Sequence, residues 1–441
     1  MATATQSRAT QPRNTTALPA AFAQTMDAPE RVAYVVVGAG CCGLQACSRL
    51  MKDGLDSFIL LDKQQHIGGV WAPTSVANSS SRVQISEPSY RLIEENVQTE
   101  FTPQAELLDQ MQELAERDGF ADKIRCGATV TAARTVDAEG EETLDDDVAV
   151  AVLVTYTDAA TGESRTVLAS ADVLFCTGGL QTPKQIELPE ESAFSGDVIL
   201  GTNSEVDDLP LEGRRVCVMG MGAFAVENTR TVLLAGAEHV TIIARKTTMV
   251  LPKLLLALQG IQGGSDQLFK TRAAREASAD PERVKAGAER ILRIVMTPYI
   301  EAGATDLMPG GLQASPPDIG AAIGSTIPTI SDIFFLALAL GKVTVVIGEV
   351  EACVEDGINV RTASNGFDIV GGFDASTSHV ACDCVVKCYG FEHPDARLAE
   401  MVGRTHIYSP LYITPRILLM KVERNVVSTL CTGALPQLLV F

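Results

Sequence analysis

Val35-Val36-Val37-Gly38-Ala39-Gly40-Cys41-Cys42-Gly43-Leu44 is the stretch on which the reading of this chain turns. A β-branched apolar run stops at a glycine. Two further glycines complete the spacing G-x-G-x-x-G, and a helical pattern follows from Leu44 to Lys52. This is the layout of a strand, a tight turn and a helix N-terminus that can hold a pyrophosphate. Gly38 permits the turn, Gly40 lets the backbone approach the phosphates, and Gly43 lets helix and strand pack closely. Phe58 to Leu61 reads as a second strand ending in Asp62, 24 residues after Gly38. A carboxylate there accepts hydrogen bonds from an adenosine ribose, and Lys63 beside it is counted among the cofactor-binding residues. Cys41 and Cys42 fill a loop that demands small side chains.

The same theme returns. Arg215-Val216-Cys217-Val218-Met219 leads into Gly220-Met221-Gly222-Ala223-Phe224-Ala225, a G-x-G-x-x-A turn whose third slot tolerates alanine. A helix is expected from Val226 to Ala235, then a strand from Val240 to Ala244 that ends in Arg245-Lys246. Bases stand where the first unit has its acid. An arginine there can clasp a ribose 2′-phosphate bidentately, which favours NADPH over NADH. Two dinucleotide units, one ending acidic and one basic, point to FAD on the first and NADPH on the second.

The chain has 441 residues, enough for two or three domains, and a formal net charge of −20. That balance argues against nucleic acid and anionic membrane surfaces, both of which call for a basic patch. Much of the acidic excess lies in Glu139 to Asp147, read as a solvated hairpin tip. The 11 cysteines form no Cys-x-x-Cys and suit a reducing compartment. Alternation along a strand would put Cys382, Cys384 and Cys388 on one face, where a metal or redox role is conceivable and buried reduced thiols are the commoner outcome. No apolar run reaches the length of a membrane-spanning helix.

Residues 1–30 read as a disordered tail or, being rich in Ser and Arg and poor in acid, as an organelle transit peptide. The location is then cytoplasmic or, with a transit peptide, a plastid or mitochondrion. A polar loop, Thr74 to Arg82, follows Gly68-Gly69-Val70-Trp71 and is placed for binding groups. Residues 103–118 read as a helix and 127–175 as a small antiparallel meander ending in Cys176-Thr177-Gly178-Gly179. The expected fold is α/β, with two Rossmann-like domains. The first is discontinuous, at 31–180 and 385–441. A linker covers 181–213. The second domain, 214–384, carries an insertion at 250–338.

These motifs together make the chain resemble the flavin-containing monooxygenases, within the wider group of two-dinucleotide-domain flavoproteins. The carriers are Gly38 to Gly43, Gly68-Gly69-Val70-Trp71, Ser75 to Arg82, Cys176-Thr177-Gly178-Gly179, and Gly220 to Asn228. They lie in the family's order across residues 31 to 250. The resemblance implies that NADPH reduces FAD, that the reduced flavin forms a hydroperoxide with O2, and that this oxygenates a nitrogen or sulfur nucleophile of a small-molecule substrate. It places Asn78 near flavin and NADP⁺ as the residue that steadies the peroxyflavin. An amide suits that task, because it donates and accepts without supplying an acidic proton. Gly69 and Val70 would line the flavin, with Trp71 packing nearby or serving as a plain core residue. Thr177 and Gly178 would complete the first cofactor site. Arg82 would contact a phosphate or only a surface acid.

The chain departs from the family pattern in three places. Leu200 stands where the identifying stretch after Phe194-Ser195-Gly196 has a histidine. Cys388-Tyr389-Gly390 replaces an Ala-Thr-Gly turn. The chain ends soon after Cys431-Thr432-Gly433, so the helix expected to face the flavin is replaced or the flavin is held less well. The alternatives to a monooxygenase are an NADPH-flavin oxidoreductase with another acceptor, and a flavoprotein-like structural subunit of a larger assembly. Whether the chain forms a homo-oligomer is open at this point.

Overall fold

The computed structural model describes residues 29–253, 293–307, 329–392, 401–402, 412–414 and 417–419, except 85, 86, 88, 89, 146, 181, 295, 365, 367 and 368. The expectations for residues 1–28, for most of the insertion and for the chain's last segment lie outside these residues.

Glu30–Val37 forms strand β1, Cys41–Lys52 helix α1 and Phe58–Leu61 strand β2. β1 pairs in parallel with β2, Val37 opposite Leu61. The strand is buried on both faces. Val35 and Val37 pack with Ile59 and Leu61 on one side, while Val36 packs with Leu60, Leu44, Cys47 and Leu50 on the other. A continuous apolar run is what a parallel strand covered on both faces requires. Helix α2, Gln104–Arg117, adds Leu107, Met111 and Leu114 to the α1 side. β3 (Ile124–Arg125), β4 (Ala128–Val136), β5 (Ala151–Asp158) and β6 (Ser164–Phe175) follow. β4, β5 and β6 make the antiparallel meander, and β6 turns back alongside β1 in parallel.

The second sheet is built from β7 (Asp197–Leu200), β8 (Arg215–Met219) and β9 (His239–Ala244), with helix α3 (Ala223–Leu234) between the last two. A two-strand pair, β10 (Val250–Leu251) with β11 (Thr329–Ile330), and helix α4 (Asp332–Ala339) lie beside α3. β12 (Val343–Val354), β13 (Gly357–Ala363), β14 (Phe373–Ala381) and β15 (Cys384–Lys387) complete it in the order β14-β13-β12-β9-β8-β15-β7. β16 (Tyr412–Thr414) and β17 (Ile417–Leu419) join the first sheet, with β17 parallel to β6, so that domain is discontinuous.

Two sequence boundaries move. β7 falls within the stretch read as a linker, yet it pairs in parallel with β15 at the sheet edge. β15, read as the return to the first domain, pairs with β8 in the second. Both strands are four residues long, too short for periodicity to assign them. The cysteine face also changes. Cys382 precedes β15 and packs with Cys217, Cys353 and Val385, while Cys384 and Cys388 pack on the opposite face with Val218 and Val386. The Cys382 amide bonds the Asp356 carbonyl, so the alternation does not reach back to it. Burial pushes the thiols of Cys384 and Cys388 up to about 12. Among the described residues, no group of three or more His, Cys, Asp or Glu is placed to hold a metal.

Candidate functional site

The two glycine turns share one backbone geometry. Gly38 has φ +105° and Gly220 +103°, a region that side chains rarely enter. Gly40 and Gly222 cap α1 and α3 with φ −82°, ψ −175° and φ −83°, ψ −175°. Both helices therefore begin inside the glycine motif, a few residues before the apolar periodicity shows them. Gly38 N bonds Leu61 O at 2.8 Å and Gly220 N bonds Ile243 O at 2.7 Å, so each turn leans on the end of the next strand. A methyl at Gly38 would strike Cys176 O at 2.6 Å, and one at Gly220 would strike Cys388 O at 2.9 Å. Cys176-Thr177-Gly178 and Cys388-Tyr389-Gly390 are thus equivalent turns in the two domains.

Neither helix carries a side-chain N-cap or an acid in its first turn. Their first amides keep hydrogens to donate, and the helix dipole favours an anion there. Space at Gly222 is open, whereas Gly40 faces Gly69: a Cβ on Gly69 would lie 2.9 Å from Gly40 Cα. The Gly68-Gly69 turn thus lies against the first cradle, held by Gly68 N to Ala39 O at 2.9 Å. Val70 is half-buried beside it and accepts from Ala77 N. Trp71 is buried in the core, edge-on to Tyr90 at 6.2 Å.

Asp62 sits at the end of β2, buried, with Oδ2 accepting from Ala39 N at 2.5 Å and Oδ1 from Gln64 N at 2.7 Å. Burial raises its carboxyl above the ordinary value, with the two backbone donors and the Lys63 charge opposing. Each oxygen retains a lone pair for a hydroxyl donor. Arg245 and Lys246 stand exposed at the end of β9, on the edge that carries the second turn. Neither side chain has an ion-pair partner among the described residues.

Between the cradles the polar loop is fastened along α3. Asn78 Nδ2 donates to Asn228 Oδ1 at 2.8 Å and Arg82 N to Glu227 Oε1 at 3.1 Å, while Ser79 N reaches beyond α3 to Asp207 Oδ2, in the turn before β8, at 2.6 Å. Ser80 Oγ shares a hydrogen with Thr231 Oγ1 at 2.9 Å, and Ser80 O accepts from Arg230 Nη2. This interface explains why the loop is polar and also why α3 buries Asn228, Arg230 and Thr231. Arg82 lines a cavity of about 10 Å³ with Gln84, Glu227, Arg230, Lys253 and Ser331. Burial holds the Lys253 ammonium below its ordinary value, Asp332 and Glu227 opposing. Arg230 and Lys253 are not singled out by the sequence, and Glu227 and Asn228 enter it only as the end of the second glycine motif. The signal was the run Glu227-Asn228-Thr229-Arg230-Thr231, which leaves mid-helix α3 without a plain apolar face.

Asn78 is 2% exposed, and its Oδ1 has no hydrogen-bond partner among the described residues. A buried acceptor without a donor is costly and marks a place for one. Together with two uncapped helix starts, it fits a bound dinucleotide pair.

Comparison with known proteins agrees with this architecture. Residues 32–257 match the family model described as pyridine nucleotide-disulphide oxidoreductase, from β1 to just past the second glycine unit. The chain belongs to this family. Its curated relatives include an FAD-binding monooxygenase of Aspergillus niger, 25% identical over 53% of this chain and 37% of that protein. A Baeyer-Villiger monooxygenase of Streptomyces coelicolor is 25% identical over 53% of this chain and 41% of its own length. The matched region thus spans less than half of these relatives. Among solved structures, oxidized steroid monooxygenase bound to NADP has 17% identity and a TM-score of 0.56, covering 84% of this chain and 73% of that one. Open cyclohexanone monooxygenase has 20% identity and a TM-score of 0.55, covering 84% and 76%. The pyridine nucleotide-disulphide oxidoreductase fold of this chain is thus the fold of these monooxygenases. Among the described residues, no helix is long and apolar enough to cross a membrane.

Proposed function

We propose that the chain is a monooxygenase that uses FAD and NADPH and oxygenates a nitrogen or sulfur nucleophile of a small molecule. The observation that carries the reading is the matched pair of glycine turns, one closing on buried Asp62 and the other on exposed Arg245-Lys246. Free amides at the start of α1 hold the FAD pyrophosphate, and Asp62 accepts from its ribose. Lys63, Gly69, Val70, Thr177 and Gly178 border that site. α3 receives the NADPH pyrophosphate at Gly222 and Ala225, and Arg245 with Lys246 takes the 2′-phosphate. FAD, reduced by NADPH, supplies the oxygen chemistry.

The protein's own work is to bind, orient and exclude water. Asn78 offers a bare acceptor in a buried position, which holds a proton on a cofactor nitrogen without supplying an acidic one. Trp71 packs behind the first cradle and supports it through its carbonyl, which Gln104 Nε2 bonds at 2.9 Å. Arg82 borders the interdomain cavity and pairs through its amide with Glu227.

A ketone substrate is the second reading, favoured by the Baeyer-Villiger name of the Streptomyces relative. The test is one set of measurements on purified full-length protein. Bound yellow flavin and NADPH oxidation in air that rises with an added amine or thioether support the first reading. A rise with cyclic ketones alone supports the second. A folded, colourless protein that takes up no FAD overturns both.

A further inference from the structure

Asn78 and Asn228 are 150 residues apart in the chain and meet through one hydrogen bond of 2.8 Å. Asn228 is 1% exposed on α3. Its Nδ2 faces the carbonyl oxygens of Gly201 at 2.6 Å and Phe224 at 2.8 Å, with Cys388 Sγ at 3.6 Å. An amide nitrogen has two hydrogens, and two carbonyls take them. Turning the amide over would set Oδ1 against both carbonyl oxygens, so its orientation is decided by the network. Gly201 makes the fit feasible, because a Cβ there would fall 2.9 Å from Asn228 Nδ2 and 2.4 Å from Cys388 Sγ.

We propose that Asn228 is a positioning residue, and that the fixed polarity of its amide sets the polarity of Asn78. With Oδ1 of Asn228 forced toward the loop, Asn78 must present its N–H. The Asn78 oxygen is then left buried and, among the described residues, without a donor. The second domain thereby dictates which end of the Asn78 amide the first domain's cofactor site receives. A free Asn78 would offer donor and acceptor about equally, and half of its orientations would repel a proton-bearing ring nitrogen. This inference rests on the reading of Asn78 given above.

Two measurements test it. The first needs neither cofactor nor turnover. In the full-length chain labelled with ¹⁵N-asparagine, the side-chain pair missing from Asn78→Ala identifies Asn78. It exchanges its hydrogens slowly in the wild type and faster by roughly an order of magnitude or more in Asn228→Leu. An Asn78 pair that exchanges like a surface asparagine in the wild type overturns the proposal, whether or not the variant folds.

The second measurement uses the FAD-loaded protein without substrate. Asn228→Leu raises the rate of NADPH-driven hydrogen peroxide release roughly tenfold, toward that of Asn78→Ala, with NADPH KM and anaerobic flavin reduction unchanged. The double variant then adds nothing beyond Asn78→Ala. Additive effects, or an unchanged peroxide rate in folded Asn228→Leu, overturn the proposal. If Asn78→Ala itself leaves peroxide release unchanged, the role of Asn78 falls and takes that of Asn228 with it. A slow-exchanging Asn78 amide in that case still upholds the hydrogen bond alone.

Discussion

The Cβ that Gly43 lacks would fall 1.8 Å from the carbonyl oxygen of Gly38. Helix α1 is pressed onto the turn that starts it, with backbone against backbone and no flexible atom to give way. Gly43→Ala is therefore expected to cost roughly 3 kcal/mol or more, read as a fall in the urea midpoint. Gly222, the counterpart of Gly40, has open space and an ordinary φ of −83°. Gly222→Ala should fold within about 1 kcal/mol of wild type, yet weaken NADPH because the methyl occupies the approach to the backbone. Equal instability in both variants would contradict the steric account.

Arg245 is exposed, and no acid pairs with its guanidinium among the described residues. Its removal should leave stability within about 0.5 kcal/mol of wild type. NADPH KM should rise by roughly tenfold to a hundredfold, while NADH changes little, because only the 2′-phosphate is lost as a partner. Steady-state kinetics with both nucleotides checks this. A parallel loss for both would place Arg245 outside phosphate recognition.

Arg230 joins the domains: its guanidinium bonds Glu227 Oε1 and the Ser80 carbonyl, and its side chain is 9% exposed. Arg230→Met removes the charge partner of a half-buried carboxylate and the donor to the half-buried Ser80 carbonyl. The expected loss is about 2 to 4 kcal/mol, with Glu227→Gln in the same background recovering part of it. Denaturant titrations of the single and double variants measure both.

Asp383 ties the start of β15 to β8, with Arg215 Nη2 at 2.7 Å and Arg215 N at 2.8 Å. Those hydrogen bonds from Arg215 hold its carboxyl below the ordinary 3.8. The folded state therefore binds fewer protons than the unfolded state near that pH. The resulting stability is present above about pH 4 and is lost as pH falls through the folded value. Asp383→Asn should be less stable than wild type at pH 7, with the gap closing below pH 3.8. A gap that is constant from pH 7 to pH 3 would show that the carboxylate charge contributes nothing.

Local spacing along the chain was enough for each glycine turn and the strands beside it. Gly38, Gly40 and Gly43, then Asp62, all lie within about thirty residues, as do Gly220, Gly222, Ala225 and Arg245. Backbone angles at a glycine turn and a strand-end side chain depend on near neighbours, so sequence exposes them. The same locality made α2 and the meander legible.

Pairings across long separations were not. Strands as short as β7 and β15 carry no period, and only the parallel partners β8 and β15 show where they belong. The family resemblance could name Asn78, but not the direction in which its amide faces. That depends on Asn228, Gly201 and Phe224, brought to it by the packing of one domain on the other. Hydrogen-bond polarity is a property of the closed network, and no periodicity in the chain records it.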